Sequence, residues 1–517
     1  MRLLGFVWLW ARRLPVRFTA VLVALMLLYL VFVSWLVSVG GETTIADALW
    51  NLLGLPDIAV VRVFWEGLVV VAILVVGVLV SYNLTAWVYR KIRHRVTVVV
   101  PAPVPAAPRS GTRLDGFNRI GIILAGGGAK GAYQAGAMKA IHEFLERNGG
   151  LDKVAMIAGT SIGSWNAMFW LAGLVKPPAP GARSLHEQWW RTIGVERIVE
   201  FDTYLPLRRN HFLLPTPWRE TFRQIFLETP AVRDRLADLF VGAGSAGEPR
   251  MRFYFTRSNV ERGHLEFATN WPGIRSLTRP NFRTADPRDA EPVVQLDRYE
   301  VIEGDDVRAA LGRTELAVFA SMDLPPLFPY MRITVDVGEW FEDGGVVENI
   351  PVWFGTQIER CDLLFVLPLN ASFAETVDRR SVTQRLFRVM DVRQGVLERN
   401  ALKQTYLYNE LAALRGKAEA AGAAAVPLAG SGEPALEATA LSRRHRPISV
   451  FAICPQQPLA IGTSEFWKPR EAGEAFELMY AATKYELGER FEEDTNPNWI
   501  RMTLVSPQGE RAYVDDF

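Results

Sequence analysis

Two long apolar runs open the chain, and every later apolar stretch is shorter. Phe18 to Gly41 and Gly67 to Tyr89 contain no charged residue. Each exceeds the ~20 residues that a helix needs to cross a bilayer. The pattern predicts transmembrane helices over 18–41 and 67–89. For the first run a cleaved signal peptide is an alternative, but the run is too long for a signal core and "VSVGGETT" lacks a small-x-small site. One anchor plus one buried hydrophobic helix is the other alternative. Residues 1–17 carry Arg2, Arg12, Arg13 and Arg17, and Arg90, Lys91, Arg93 and Arg95 follow the second run. The loop 42–66 has Glu42, Asp47, Asp57 and Glu66 against Arg62. Basic flanks stay cytoplasmic, so the loop is expected outside and both ends inside. Its apolar centre, "IADALWNLLGLPDIAVV", is as consistent with lying on the outer membrane face as with plain packing.

Beyond the runs, "VPAPVPAAPRSGTR" places Pro101, Pro103, Pro105 and Pro108 close together. That spacing excludes a helix and favours an extended linker, so 90–117 reads as a basic, Pro-rich connection. A soluble domain is expected over 118–370. It starts with a buried strand, "IGIILA", and a helix, "GAYQAGAMKAIHEFLERNGG", with Tyr133, Ala137, Ile141 and Phe144 or Leu145 on one face. A second strand, "KVAMIA", and a second helix, "IGSWNAMFWLAGLV", follow. Strand, helix, strand, helix predicts a parallel sheet covered by helices. An inserted segment over about 177–305 interrupts the pattern, which returns with "ELAVFASMDLPPLFPYM", "RITVDVGEWFEDGG" and "DLLFVLPL". Residues 371–517 read as a C-terminal extension completing the domain. It holds an Ala/Gly-rich mobile loop at about 416–440, a last strand, "ISVFAICP", and a last helix near "AFELMYAATKYELGERF".

Charge removes some function classes. The chain has 57 basic and 56 acidic side chains, which gives no reason to expect nucleic acid as a partner. Cys361 and Cys454 are its two cysteines, too few for a disulfide framework. The six histidines are scattered without ligand spacing, so no metal is expected.

The candidate chemistry lies at two strand ends. Gly126, Gly128 and Gly131 satisfy G-x-G-x-x-G between a strand and a helix. A dinucleotide site also wants an acidic residue at the end of the next strand, and that strand ends "IAGTS". A phosphate-binding loop wants Gly-Lys-Ser/Thr, and here the order is Lys130-Gly131-Ala132. The next strand end instead carries "GTSIG", Gly159 to Gly163. A serine there sits on a very tight turn that pushes its hydroxyl out; a helix cap at Thr160 or Ser161 is the structural alternative. In a parallel sheet both strand ends share one edge. Backbone N–H groups of Gly126, Gly127 and Gly128 could then stabilise the oxyanion formed when Ser161 attacks an ester. Asp343, before Gly344 and Gly345, is either a turn former or the base.

"GGGAKG" at 126–131, "GTSIG" at 159–163 and "DGG" at 343–345, in this order, resemble the patatin-like phospholipase family. "FASMDLPPLFPY" and "ENIP" agree with two further elements of that family. The resemblance spans about Asn118 to Leu369. It implies a three-layer α/β/α fold, lipid acyl hydrolase activity and no cofactor. It also implies a Ser161–Asp343 dyad and an oxyanion hole at Gly126, Gly127 and Gly128, with motif support from Lys130, Gly131, Gly159, Gly163, Gly344 and Gly345. Lys130 is carried over only as a possible phosphate or lipid contact, with a positioning role or a solvated surface role as the alternatives. The substrate would be a membrane phospholipid or lysophospholipid. A bacterial-type member with N-terminal membrane helices would lie in the inner membrane with its catalytic domain cytoplasmic. Two other readings stay open: a Ser–His–Asp esterase using His445, the one histidine after Asp343, and a catalytically silent membrane scaffold.

Overall fold

The computed structural model describes residues 53, 59–93, 96–101, 113–201, 211–240, 248–276, 299–304, 306–332, 339–370, 382–420, 447–491 and 500–514. The first apolar run, most of the loop before the second, and His445 lie outside them. The chain divides into two compact units, Met1–Arg95 with Val199–Pro217, and Val96–Ile198 with Trp218–Phe517.

In the first unit, helix α1 (Ala59–Arg93) contains the second apolar run. Its Gly67–Val88 stretch of 22 residues is long and apolar enough to cross a membrane, the one such helix among the described residues. Leu68, Val71, Val75, Val78, Val80 and Leu84 are exposed on it. Asn83 is a polar exception with a defined task. Its Nδ2 donates to the Phe201 carbonyl at 2.7 Å, and its Oδ1 accepts the Phe201 N–H at 3.0 Å. Phe201 belongs to a two-stranded hairpin, with Glu200↔Leu214 and Phe201↔Leu213 as partners.

The second unit is an α/β domain. In chain order it contains β1 (Ile120–Leu124), α2 (Gly131–Arg147), β2 (Val154–Gly159), α3 (Ile162–Leu171) and α4 (Leu185–Thr192). The hairpin strands of the first unit are β3 (Glu200–Phe201) and β4 (Leu213–Leu214). Then come α5 (Thr216–Phe222), α6 (Pro230–Ala237), β5 (Arg252–Asn259), β6 (His264–Thr269), β7 (Tyr299–Val301) and α7 (Val307–Met322). The chain continues with β8 (Met331–Arg332), β9 (Trp340–Asp343), β10 (Leu363–Leu367), α8 (Val382–Ala420), β11 (Ser449–Pro455), α9 (Pro469–Tyr485), β12 (Ile500–Val505) and β13 (Arg511–Val514).

Eleven strands form one mixed sheet, ordered β13-β12-β11-β10-β1-β2-β5-β6-β7, with β9 also on β5 and β8 on β9. From β12 to β5 the neighbours are parallel; β13, β6 and β9 join antiparallel. Every residue of β1, β10 and β11 is buried, as expected of strands covered on both faces.

Three expectations change. The inserted segment is not separate throughout, because β5, inside it, pairs with β2 in the middle of the sheet. The last helix does not close the chain, since β12 and β13 follow it. Residues 416–420 end the helix α8 and are not loop; the rest of the expected loop lies outside the described residues. The insert also contributes to the core under α3. Trp165 of α3 contacts Trp189 at 5.0 Å, Trp218 at 5.5 Å and Phe226 at 6.0 Å between ring centroids.

The opposite edge of the sheet is tied by one carboxylate. Glu359, with a fully buried side chain, accepts from Arg252 Nη1 at 2.8 Å and is also bonded by Arg119 and Tyr254. Arg119 precedes β1 and Arg252 begins β5, so Glu359 joins two strands at their N-terminal ends. Removing one member of a buried ion pair leaves uncompensated charge, so Glu359→Ala should destabilise the domain by ~3–5 kcal/mol. The exposed pair Arg250–Asp152 at 2.8 Å is the control, because Asp152→Ala should cost no more than ~1 kcal/mol. Thermal unfolding of the two variants side by side checks the contrast.

Candidate active site

Ser161 stands between β2 and α3 with φ 53 and ψ −125. A side-chain-bearing residue there costs ~1–3 kcal/mol and persists only if its surroundings hold it. They do. The Thr160 N–H donates to Leu124 O at 3.0 Å, and the Ser161 N–H donates to Ser321 Oγ at 2.9 Å. Ser164 Oγ lies 2.9 Å from Gly159 O and 3.0 Å from Ser321 Oγ. Thr160 Oγ1 pairs with Thr256 Oγ1 at 2.7 Å. The bordering glycines are steric requirements. A Cβ at Gly163 would stand 2.3 Å from Leu124 O, and one at Gly159 would stand 2.5 Å from Ser164 N.

The register Leu124↔Gly159 puts the ends of β1 and β2 level, so the glycine loop and Ser161 share the C-terminal edge. A Cβ on Gly126 would come within 2.9 Å of Ser161 Cβ. The three glycines differ in what their N–H groups do. That of Gly126 donates to Asn349 Oδ1 at 3.0 Å, while Asn349 Nδ2 returns a bond to Gly126 O at 3.2 Å. The expected donor role of Gly126 is therefore corrected, because its N–H is already taken. Among the described residues, no hydrogen-bond partner occupies the N–H of Gly127 or Gly128. Gly128 has φ 57, and a Cβ there would be 2.1 Å from Thr463 O. Gly128–Lys130 forms a 3-10 turn that leads into α2 at Gly131.

Asp343 arrives by an antiparallel route. β5 pairs with β2 only as far as Phe255, and Thr256–Asn259 run on past the end of β2. β9 pairs with that projecting part, Arg257 opposite Asp343. The Asp343 N–H donates to Asp323 O at 3.0 Å, and Ser258 Oγ donates to Asp343 O at 2.8 Å. Gly344 packs against Thr256, where a Cβ would be 2.2 Å from Oγ1. The carboxylate accepts the Gly345 N–H at 2.7 Å and lies close enough to the Ser161 side chain for that group to favour its ionised form. Burial raises its pKa to about 7, opposed by Ser161 and Gly345. Asp323 is buried nearby with Oδ2 unpartnered, and desolvation together with the charge of Asp343 holds its carboxyl well above the usual range.

Lys130 points into the protein. It is buried, and its Nζ donates to Asn370 Oδ1 at 2.8 Å and Asp391 Oδ1 at 2.7 Å. Asp391 belongs to α8, which also supplies Glu398. That buried carboxylate accepts from Asn349 Nδ2 and, at 2.8 Å, from Asn370 Nδ2; burial raises its pKa to about 7. Asn349 thus stands between Glu398 and the glycine loop. Ser321 and Asn349 fall within the "FASMD" and "ENIP" segments. Asp391 and Glu398 had no signal beyond their spacing of seven on one helix. No histidine among the described residues hydrogen-bonds Ser161 or Asp343. His142 and His186 are buried and held near 4 and 3 by desolvation.

Residues 122–354 match the model of the patatin-like phospholipase family. The chain carries a patatin-like phospholipase domain. This is the domain of a lipid acyl hydrolase, and the match contains Ser161, Asp343 and the glycine loop. Among solved structures the chain is similar to VipD from Legionella pneumophila, at 14% identity over 72% of this chain and 67% of that one, with a TM-score of 0.30. No curated protein matches it. The α8 helix, with Asp391 and Glu398, lies beyond the patatin match.

A folded-state pKa of about 7 for Asp343 has a definite sign. The unfolded group ionises near 3.9, so the native state binds the proton more tightly. Its contribution to stability is full below the unfolded pKa and is lost as pH rises through about 7. Asp343→Asn mimics the protonated form. It should melt higher than wild type at pH 8, with the difference closing toward pH 5; equal melting curves at both pH values would sink the assignment.

Proposed function

We propose that the chain is a membrane-anchored serine lipid acyl hydrolase, of phospholipase A or lysophospholipase type, that works through a Ser161–Asp343 dyad. The observation that carries this is the approach of the buried Asp343 carboxylate, delivered by β9, to a serine held at positive φ. In the first step Asp343 takes the Ser161 proton while Oγ attacks the ester carbonyl carbon. The N–H groups of Gly127 and Gly128 stabilise the oxyanion. Collapse of the tetrahedral intermediate breaks the ester C–O bond, and the departing alkoxide takes the proton from Asp343. This leaves an acyl-serine and a lysolipid or glycerol alcohol. Water then attacks the acyl-serine, again giving its proton to Asp343. The second collapse releases the fatty acid and returns the proton to Ser161. A base near 7 is matched to this work at neutral pH, where both of its protonation states are populated.

The dyad is tested by three substitutions assayed together. Ser161→Ala should abolish hydrolysis and labelling by a fluorophosphonate. Asp343→Asn should lower the rate by ~100- to 10,000-fold, the usual worth of general-base assistance. His445→Ala should leave it near wild type. If His445→Ala is as damaging as Ser161→Ala while Asp343→Asn is mild, the dyad is replaced by a triad.

Anchoring rests on the apolar Gly67–Val88 stretch of α1 and on the basic flanks. At ~1.5 Å per residue the stretch spans ~33 Å, enough for a ~30 Å hydrocarbon core. The domain would then work on the cytoplasmic leaflet of a bacterial inner membrane. A reporter inserted beside Glu42 should be accessible from outside intact cells and one at the C-terminus should not. The reverse pattern would overturn this topology.

A further inference from the structure

Helix α8 carries an exposed apolar stripe opposite a side of bonded polar residues. Its buried side carries polar residues with assigned partners: Asp391 on Lys130, Glu398 on Asn349 and Asn370, and Asn409 on both backbone groups of Ile448 at 2.7 and 3.0 Å. Its outer side carries Val389, Val392, Val396, Leu407, Leu411 and Leu414, which are 41–62% exposed. These positions advance by three and four residues along one stripe, with Asn400 and Lys403 at its centre. A helix facing water has the opposite arrangement. The polar side cannot be rotated outward, because its bonds reach Lys130 and Asn349 of the glycine-loop region.

We propose that the outer face of α8 is a bilayer-docking surface that lies in the headgroup region of an anionic leaflet, an inference that rests on the lipid-hydrolase reading above. Two observations select a lipid surface. First, Arg385, Arg393 and Lys403 are exposed, against the single exposed acid Glu410 among the helix's described side chains. Basic residues bordering an apolar stripe suit anionic headgroups above acyl chains. Second, Lys403 interrupts the stripe itself. In a seam between two copies of α8 a lysine would be buried against apolar neighbours. At a membrane its ammonium reaches up to the headgroups while its stem stays with the chains. The same helix therefore touches the glycine loop on one side, through Glu398 and Asn349, and faces the source of substrate on the other.

The test uses the full chain reconstituted into vesicles of phosphatidylcholine and phosphatidylglycerol. Cys361 and Cys454 are buried, so an environment-sensitive thiol dye will label a new cysteine. In Val396→Cys and Leu411→Cys its emission should shift to the blue and be quenched by spin-labelled lipid. In Gln508→Cys, an exposed site at the other end of the domain sequence, it should do neither. The double variant Val392→Asp/Val396→Asp should hydrolyse vesicle lipid at least ~10-fold more slowly, the cost of ~1.4 kcal/mol, with its rate on a soluble short-chain ester unchanged. No lipid-dependent change at positions 396 and 411 would overturn the proposal. So would efficient crosslinking of two copies through Val396→Cys, which would make the face a self-interface. The fluorescence readout requires no turnover. An inactive wild type would therefore remove the hydrolase reading while the dye still decided whether α8 meets lipid.

Discussion

The pairing of β9 with the projecting end of β5 is the contact on which the site depends. β1 and β2 end level with each other, so a parallel sheet alone delivers the glycine loop and Ser161 to one edge. It has no means of delivering Asp343 beside them. β5 supplies it by running on through Thr256–Asn259. On that ledge β9 descends antiparallel and sets Asp343 opposite Arg257. Thr256 binds the elbow through Thr160, and Ser258 binds the Asp343 carbonyl. One short strand segment thus fixes Ser161 and Asp343 together.

The arrangement stores free energy against folding. Ser161 is held in a conformation that costs ~1–3 kcal/mol. Asp343, Asp323 and Glu398 are buried and Glu348 partly so, all with raised pKa values, so each costs stability once ionised. The same burial that penalises Asp343 makes it a stronger base. The Glu359 tie and the aromatic packing around Trp165 lie in the same domain and oppose these costs.

What could be read from the sequence was local. "GGGAKG", "GTSIG" and "DGG" are each dictated by turn geometry within a few residues, and they stand where the pattern predicted. The strands β1, β2, β10 and β11 were legible because burial on both faces makes them continuously apolar. The alternation of "RFYFT" marks β5 as a stretch of the insert but not its central place beside β2, since "RFYFTRSN" mixes in polar residues that are bonded only in the folded chain. The split among the three glycines was equally hidden. Gly126 differs from Gly127 because of Asn349, a partner 223 positions away. The buried ion pair of Lys130 was hidden too, because its partner Asp391 lies 261 positions away on the inner side of α8.

The clamp of Asn83 on Phe201 bears on how the protein can be taken apart. The chain passes from Met1–Arg95 into the larger unit, back through Val199–Pro217, and out again. The Pro-rich linker is therefore one of three covalent crossings. A protease that nicks it leaves the apolar helix gripping a hairpin that still belongs to the rest of the polypeptide at both ends. Separating that helix from the rest of the polypeptide would demand breaking the Asn83–Phe201 clamp as well as the linker.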